Sequence, residues 1–117
     1  MQIRQLEAAS GLSRDTLRYY ERLGLISPPL RLGNGYRSYG RQTLQELRFI
    51  QKGRNLGFTL AQIKPGIAHL RNPPERCEEL IEKLRERRTQ LKQSIAQDKL
   101  RLADIGRLLR GLEANAP

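Results

Sequence analysis

A short segment near the amino terminus carries the side chains best suited to binding a charged polymer. Arg14, Asp15, Arg18 and Tyr19 lie within six residues. A guanidinium group can make two parallel hydrogen bonds to a phosphate or to the edge of a guanine, and a carboxylate can accept one from cytosine. These residue types predict a nucleic-acid contact in which Arg14 is the candidate reader of guanine. Asp15 either accepts from cytosine or only orients Arg14.

The net charge of +10 over 117 residues indicates an anionic partner, which is a polyanion, an anionic membrane or an acidic protein. Residues 1–72 contain 12 Lys and Arg against 4 Asp and Glu, whereas residues 73–117 contain 10 against 8. The positive field therefore belongs to the first part of the chain, where every basic residue except Lys52 and Lys64 is arginine. Arginine suits phosphate and guanine better than lysine does, so nucleic acid is the favoured partner.

The sequence offers no constellation typical of an enzyme. It has no Ser-His-Asp set, no glycine-rich phosphate loop and no paired carboxylates in the basic part, so we expect neither catalysis nor a cofactor. His69 is the only histidine and is interpreted as a surface or capping residue. The apolar runs are too short to cross a membrane, and none resembles a signal peptide. A single cysteine, Cys77, excludes an intramolecular disulfide and fits a reducing cytoplasm.

Two short helices are predicted to position the arginine-bearing segment. Apolar residues at helical spacing run over residues 3–10, and Gly11 follows as a stop. Ser13 is a candidate N-cap for a second helix that ends at Gly24. Two short helices so separated form a helix-turn-helix, whose second helix presents its first turns to the major groove. The candidate base-reading residues lie in those turns.

A hairpin, or wing, is predicted between residues 27 and 39. Pro28 and Pro29 exclude a helix, and Asn34-Gly35 is a strong signal for a tight turn between two extended stretches. The residues that flank the turn and are candidates for contacts to an adjacent groove or to the backbone of the nucleic acid are Arg31, Tyr36 and Arg37.

Two further helices complete the predicted head. The first runs over residues 41–56, and its predicted buried stripe consists of Leu44, Leu47, Ile50 and Leu56. Thr59 and Gln62 then have the capping-box form at the start of the second helix. Pro65-Gly66 falls inside that helix, and because proline removes a backbone hydrogen bond we expect a kink or a restart there.

A long amphipathic helix is predicted after the breaker at Asn72-Pro73-Pro74. Apolar residues then recur at alternating spacings of four and three, which is typical of a coiled coil. The seam consists of Cys77, Ile81, Leu84, Arg88, Leu91, Ile95, Asp98, Leu102, Ile105, Leu109 and Leu112. Such a helix spans roughly 57 Å, which is too long for the head to cover, so we expect a second copy of the chain to cover it. Arg88 and Asp98 are interpreted as polar residues that fix register.

Several of these segments resemble the MerR family of bacterial transcription regulators. The matching segments, in order, are residues 3–6, 11–13, 16–25, 34–39, 47–50 and 56–60. The likeness is strong over residues 1–71, and its most specific pieces are Arg18-Tyr19-Tyr20-Glu21 and Asn34-Gly35-Tyr36-Arg37. The long helix matches the family in position and kind.

The resemblance implies a mechanism and a set of contacts. Family dimers join through antiparallel packing of their long helices and bind a pseudo-palindrome between promoter elements that are too far apart for RNA polymerase. The effector-bound dimer bends and untwists this spacer, while the effector-free form often represses. By the same resemblance Arg18 and Tyr19 contact phosphate, and Lys52, Arg54 and Thr59 belong to a second wing whose start donates to phosphate. RNA polymerase is an implied partner.

The resulting expectation is a mainly α protein with a winged helix-turn-helix head over residues 1–71. A dimerisation helix that forms an antiparallel coiled coil follows over residues 72–113, and a short tail over residues 114–117, with no separate ligand-binding domain. The expected function is that of a sequence-specific regulator that binds double-stranded promoter DNA as a homodimer. An architectural or recombination-accessory DNA-bending protein is the alternative, which the long helix disfavours. A protein-interaction module is a third reading, and it predicts no salt-sensitive DNA affinity.

Cys77 leaves three interpretations open. By the resemblance, metal-sensing members of the family have a thiolate ligand near the start of the long helix, together with further cysteines in a loop beyond it. This chain has no other cysteine, and one thiolate does not make a closed soft-metal site, so no metal is expected. Cys77 is otherwise a small residue packed on the seam, or a sensor thiol activated by the start of the helix and by Arg76.

Overall fold

The computed structural model describes residues 1–73 and 77–115. The chain divides into two compact units, Met1–Cys77 and Glu78–Pro117. The elements in chain order are α1 (Ile3–Ser10), α2 (Arg14–Arg22), β1 (Leu30–Arg31), β2 (Arg37–Ser38), α3 (Arg41–Asn55), α4 (Leu60–Arg71) and α5 (Glu78–Ala114). The mainly α class with a small wing is therefore confirmed.

The helix-turn-helix forms where the local signals predict it. Gly11 ends α1 with a positive φ of 72°, a conformation that glycine adopts without steric cost. The Ser13 hydroxyl then accepts a hydrogen bond from the backbone N–H of Thr16 at 3.2 Å and caps α2. The two caps set a turn of three residues between the helices.

The wing is a two-stranded antiparallel hairpin in which Leu30 pairs with Ser38 and Arg31 pairs with Arg37. Its turn closes through Gly35, whose φ is 82°, and through a hydrogen bond from the backbone N–H of Tyr36 to the side-chain oxygen of Asn34 at 3.2 Å. The hairpin predicted from Asn34-Gly35 is confirmed.

The core of the first unit lies between α1, α2, the wing base, α3 and α4. Its buried apolar residues are Leu6, Leu17, Leu25, Ile26, Tyr39, Leu47, Ile50, Ile63 and Ile67. The predicted stripe of α3 is right at Leu47 and Ile50, whereas Leu44 is only partly buried and Leu56 is 40% exposed. Leu56 is exposed because α3 ends at Asn55, so that Leu56 caps the helix and does not continue its inner face.

Helix α4 is continuous through Pro65, so the predicted restart is wrong, while the kink at this position stays a prediction. Ile63 and Ile67 on either side of the proline are both buried in the core, and this packing outweighs one missing backbone hydrogen bond. Gly66 adds to the fit, because a Cβ on it would lie only 2.6 Å from the ring of Phe49 on α3. The two helices therefore pack closely where a larger residue would hold them apart.

Helix α5 has no buried residue. Cys77 directly precedes this helix, and residues 74–76, which include Pro74 of the predicted breaker and Arg76, lie outside the described residues. The exposed apolar side chains of its predicted seam include Leu84, Leu91, Ile95, Leu102, Ile105, Leu109 and Leu112, all between 39% and 71% exposed. No helix in the described part of the chain has the length and hydropathy of a membrane span.

Candidate nucleic-acid interface

Helix α2 presents its predicted contact residues to solvent. Arg14, Asp15, Arg18 and Tyr19 are all exposed, whereas Leu17 is buried. The guanidinium of Arg22 lies 6.0 Å from the centre of the Tyr19 ring, at the outer limit of a cation–π contact. The first turns of α2 therefore form a free polar surface, as a recognition helix requires.

Glu7 on α1 holds Arg14. The Nε of Arg14 lies 2.9 Å from Oε1 of Glu7, with both side chains partly exposed. Among the described residues the ion-pair partner of Arg14 is Glu7, and both roles of Asp15 stay predictions. Because arginine has five N–H donors and this contact uses Nε, the terminal amino groups remain available for a bidentate contact.

Glu21 at the end of α2 connects that helix to the wing. Its carboxylate accepts a hydrogen bond from the hydroxyl of Tyr39 at 3.3 Å and lies 4.0 Å from the guanidinium of Arg37. Tyr39 is only 2% exposed and is a core residue. Burial, and then the charge of Glu21, raise the pKa of Tyr39 above 10.0, so the phenol stays neutral and continues to donate. Glu21 thereby fixes the base of the wing against α2.

A groove with a volume of about 800 Å³ lies between α2, the wing and the end of α4. The residues that line it are Arg18, Glu21, Arg22, Gly24, Ile26, Ser27, Pro28, Arg37 and Arg71. We call it the arginine groove, because four arginines face one carboxylate there. A concave site with an excess of positive charge concentrates anions. The groove brings the predicted phosphate contacts Arg18 and Arg37 together, whereas Arg31 and Tyr36 lie on the exposed wing outside it.

The predicted second wing lies at the junction of α3 and α4. Lys52 and Arg54 are exposed in the last turn of α3, and Arg54 donates to the backbone oxygen of Phe58 at 3.3 Å. Thr59 accepts from the backbone N–H of Gln62 at 3.2 Å, and its own N–H donates to the Gln62 side chain at 2.8 Å. The capping box is confirmed, and it places the three predicted residues around one exposed turn.

A buried carboxylate beneath the arginine groove was missed by the sequence analysis. Glu46 on α3 has no exposed surface. It accepts hydrogen bonds from the backbone N–H of Ser27 at 2.7 Å, from the hydroxyl of Ser27 at 3.1 Å and from Nε of Arg71 at 2.5 Å. A signal was present, since Thr43, Glu46 and Leu47 share one helical face by their spacing. Burial of a charge, however, requires partners that are remote in sequence.

Cys77 is partly buried, and in the described residues no three His, Cys, Asp or Glu side chains form a group able to hold a metal ion. A packed thiol, a sensor thiol and a metal ligand all stay predictions for Cys77. His69 lies partly buried in the last turn of α4.

Together, a capped helix-turn-helix, a hairpin wing and an arginine-lined groove define a winged helix-turn-helix protein of the nucleic-acid-binding class. Comparison with known proteins gives the family. The profile described as "MerR HTH family regulatory protein" matches residues 1–69, and the profile "MerR, DNA binding" matches residues 44–114. The chain belongs to the MerR family, which is a family of transcription regulators and not of enzymes, and the resemblance seen in the sequence is confirmed.

Relatives and solved structures agree with this assignment. "Heavy metal-dependent transcription regulator 2" of Rhizobium meliloti is 46% identical over 68 residues, which cover 58% of this chain and 46% of that protein. The chain thus spans about half the length of this curated relative. MtaN, the amino-terminal part of the Bacillus subtilis multidrug transporter activator, is 26% identical with a TM-score of 0.72, covering 93% of this chain and 97% of that one.

A third likeness is to a protein solved on DNA. HiNmlR, described as a MerR family regulator that lacks the sensor domain and is bound to promoter DNA, is 26% identical with a TM-score of 0.65. The alignment covers 88% of this chain and 78% of that one.

Proposed function

We propose that this protein is a transcription regulator that binds double-stranded promoter DNA as a homodimer. The observation that carries the proposal is the exposed face of α2, where Arg14 is held by Glu7 of α1 and Arg18 faces the arginine groove. Such an arrangement separates the two tasks of a DNA-binding helix, because one arginine is placed for a base edge and another for the backbone.

Arg14 is the proposed base-reading residue, and Asp15 beside it is placed to accept from a cytosine. The proposed backbone contacts come from three surfaces of the first unit. They are Arg18 and Tyr19 on α2, Arg31, Tyr36 and Arg37 on the wing, and Lys52, Arg54 and Thr59 at the second wing. These residues are exposed, and the five that carry a positive charge, Arg18, Arg31, Arg37, Lys52 and Arg54, give a strongly salt-dependent affinity.

The proposed dimer forms through α5. A helix of 37 residues with no buried side chain exposes an apolar stripe over its whole length. Exposed apolar surface of this extent, rimmed by polar residues, is typical of a protein–protein interface. A second α5 covers the stripe by coiled-coil packing of Ile81, Leu84, Leu91, Ile95, Leu102, Ile105 and Leu109. The family's antiparallel arrangement is the one we propose.

A dimer of this kind controls transcription by deforming DNA. Phosphate contacts from the two heads hold the duplex on either side of a central spacer, and the energy of bending and untwisting that spacer depends on its sequence. We propose that this deformation sets the distance between promoter elements for RNA polymerase, and that the protein acts in the cytoplasm where the promoter lies.

Fluorescence anisotropy tests the proposal. A labelled duplex selected from a random pool by the protein is titrated at several salt concentrations, with wild type, with Leu91→Glu/Ile95→Glu and with Thr89→Glu/Gln93→Glu. The second double variant adds the same charges to α5 outside the seam. We expect the seam variant to be monomeric and to bind weakly, and the matched control to behave as wild type. A monomeric wild type at micromolar concentration, or equal loss in both variants, contradicts the proposed dimer.

Footprinting separates a regulator from an architectural protein. A regulator protects one promoter spacer, whereas an accessory factor protects phased repeats at an attachment site. We expect the first pattern, because the proposed dimer has two DNA-binding heads and each head occupies one half-site.

A further inference from the structure

Arg71, the last residue of α4, forms an ion pair with a buried carboxylate. Its Nε lies 2.5 Å from Oε2 of Glu46, which has no exposed surface. Ser27 supplies the other two hydrogen bonds to that carboxylate, and its backbone oxygen accepts from the hydroxyl of Thr43 at 3.4 Å. The guanidinium of Arg71 is therefore fixed through one edge by a network that spans α3, α4 and the chain leading to the wing.

The terminal amino groups of Arg71 are not used by this network. The side chain of Arg71 is 36% exposed and lines the arginine groove. Of its five N–H donors, the described residues accept only from Nε. Two amino groups in a planar fork therefore remain for an anion, and planar forks match the geometry of phosphate.

The charge balance of the groove calls for such an anion. Arg18, Arg22, Arg37 and Arg71 line the groove, and Glu21 is its only carboxylate within the described residues. Glu21 is already engaged by Tyr39 and Arg37. With Glu46 paired to Arg71 beneath the groove, four guanidinium groups and two carboxylates still leave an excess of two positive charges, which a bound phosphate offsets.

We infer that Arg71 is a further phosphate-binding residue of this protein and that Glu46 positions it. The ligand is a phosphodiester of the DNA backbone, because the same groove is bounded by α2 and the wing, which carry Arg18 and Arg37. The inference rests on the proposed DNA-binding function. It adds to α2 and the two wings a fourth contact surface, at the carboxyl end of α4, which neither the helix-turn-helix pattern nor the wing pattern predicts.

The salt dependence of DNA binding tests this inference. In Arg71→Gln we expect log Kd to vary less steeply with log salt, by about 0.9 for each lost phosphate contact. Arg48→Gln removes the same charge from an exposed position on α3 outside the groove, and we expect it to keep the wild-type slope. A merely structural Arg71 would lower the melting temperature and the affinity while leaving the slope unchanged.

A second variant separates loss of the phosphate contact from loss of stability. Arg71→Gln alone leaves the buried carboxylate of Glu46 without its cation, which lowers stability. Glu46→Gln/Arg71→Gln removes both charges, and a glutamine oxygen still accepts from Ser27. We expect this double variant to melt closer to wild type and to show the same reduced slope as Arg71→Gln.

Two outcomes overturn the inference without touching the proposed function. One is an unchanged slope in both Arg71 variants while Arg18→Gln shows a reduced slope. The other is an Nε–Hε NMR signal of Arg71 that moves with inorganic phosphate while the slope for DNA is unchanged, which would assign the groove to a free anion. Absence of salt-dependent binding in wild type would instead contradict the proposed function itself.

Discussion

Nε of Arg14 on α2 donates to Oε1 of Glu7 on α1 at 2.9 Å, so the first helix of the helix-turn-helix fixes the side chain that the second presents to solvent. An exposed ion pair contributes little to stability, at most about 1 kcal/mol. The ion pair instead restricts the orientation of the Arg14 side chain, because a guanidinium held at Nε has fewer orientations to lose when its amino groups bind a base. The pair therefore matters more for recognition than for folding.

The first prediction concerns base reading. Arg14→Ala should relax the preference at one position in each half-site by roughly 1–3 kcal/mol, because a bidentate contact to guanine is lost. Glu7→Gln should lose part of the same preference, since the arginine remains but is no longer held by a charge. Binding to a panel of duplexes with single substitutions measures both effects. Arg4→Ala on the exposed surface of α1 is the control and should leave the preference intact.

Equal losses on selected and random duplexes for Arg14→Ala would remove Arg14 from base reading. An unaltered preference in Glu7→Gln would show that the ion pair has no part in it.

The second prediction concerns the phosphate contacts. Arg18→Ala and Arg37→Ala should each weaken binding to all sequences and reduce the salt dependence by about 0.9 per lost phosphate, because affinity of this kind arises from counter-ion release. Titrations of one selected and one scrambled duplex over a range of salt give the slopes. A loss confined to the selected duplex would contradict a backbone role for either residue.

The helix-turn-helix and the wing could be predicted because their signals are local. The cap at Ser13 and the turn at Asn34-Gly35 each act within a few residues of the position they specify. The predicted restart at Pro65 failed because the outcome depended on distant contacts, since the flanking isoleucines are buried in the core. The predicted burial of Leu56 failed for a local reason, since α3 ends one residue before it.

The contact surfaces were predictable by residue type but not by partner. Exposure of the arginines on α2 follows from helical period. The burial of Glu46, in contrast, depends on Ser27 and Arg71, which lie 19 and 25 residues away. No periodicity in the sequence brings these three residues together, so the network beneath the arginine groove required the structure.

The third prediction tests the close packing of α3 on α4 that shapes the second wing. Gly53→Ala should lower the free energy of unfolding by about 1–3 kcal/mol, because its Cβ would lie 2.8 Å from two side-chain carbons of Ile63. Ile63 is buried and β-branched, so it cannot move aside easily. Chemical denaturation measures the change. Gly111→Ala in α5, where no atom lies within 4 Å of the new Cβ, should be neutral or gain up to about 1 kcal/mol.

A Gly53→Ala variant as stable as Gly111→Ala would show that α3 and α4 separate without cost, and the tight contact would lose its role in placing Lys52 and Arg54.

The fourth prediction concerns alkaline pH. Burial, and then Glu21, raise the pKa of Tyr39 above 10.0 in the folded chain, so the unfolded chain loses this proton at lower pH than the folded chain does. The stability that Tyr39 contributes is therefore complete below pH 10.0 and is lost as the pH rises above that value. Tyr39→Phe should lower the free energy of unfolding by about 1 kcal/mol at neutral pH, because the hydrogen bond to Glu21 is lost. Above pH 10.0 the stability of this variant should decline less steeply than that of the wild type.

Denaturation curves of both proteins across this range give the comparison, with Tyr36→Phe on the exposed wing as the matched control. Parallel declines for wild type and Tyr39→Phe would contradict a raised pKa.

Sequencing of the duplexes that the protein selects from a random pool tests the central claim most directly. A homodimer with one DNA-binding head in each subunit should enrich two inverted half-sites separated by a spacer of constant length, with Arg14→Ala relaxing one position in both halves together. Enrichment of a single unpaired half-site, of direct repeats, or of no sequence at all would contradict the dimeric regulator.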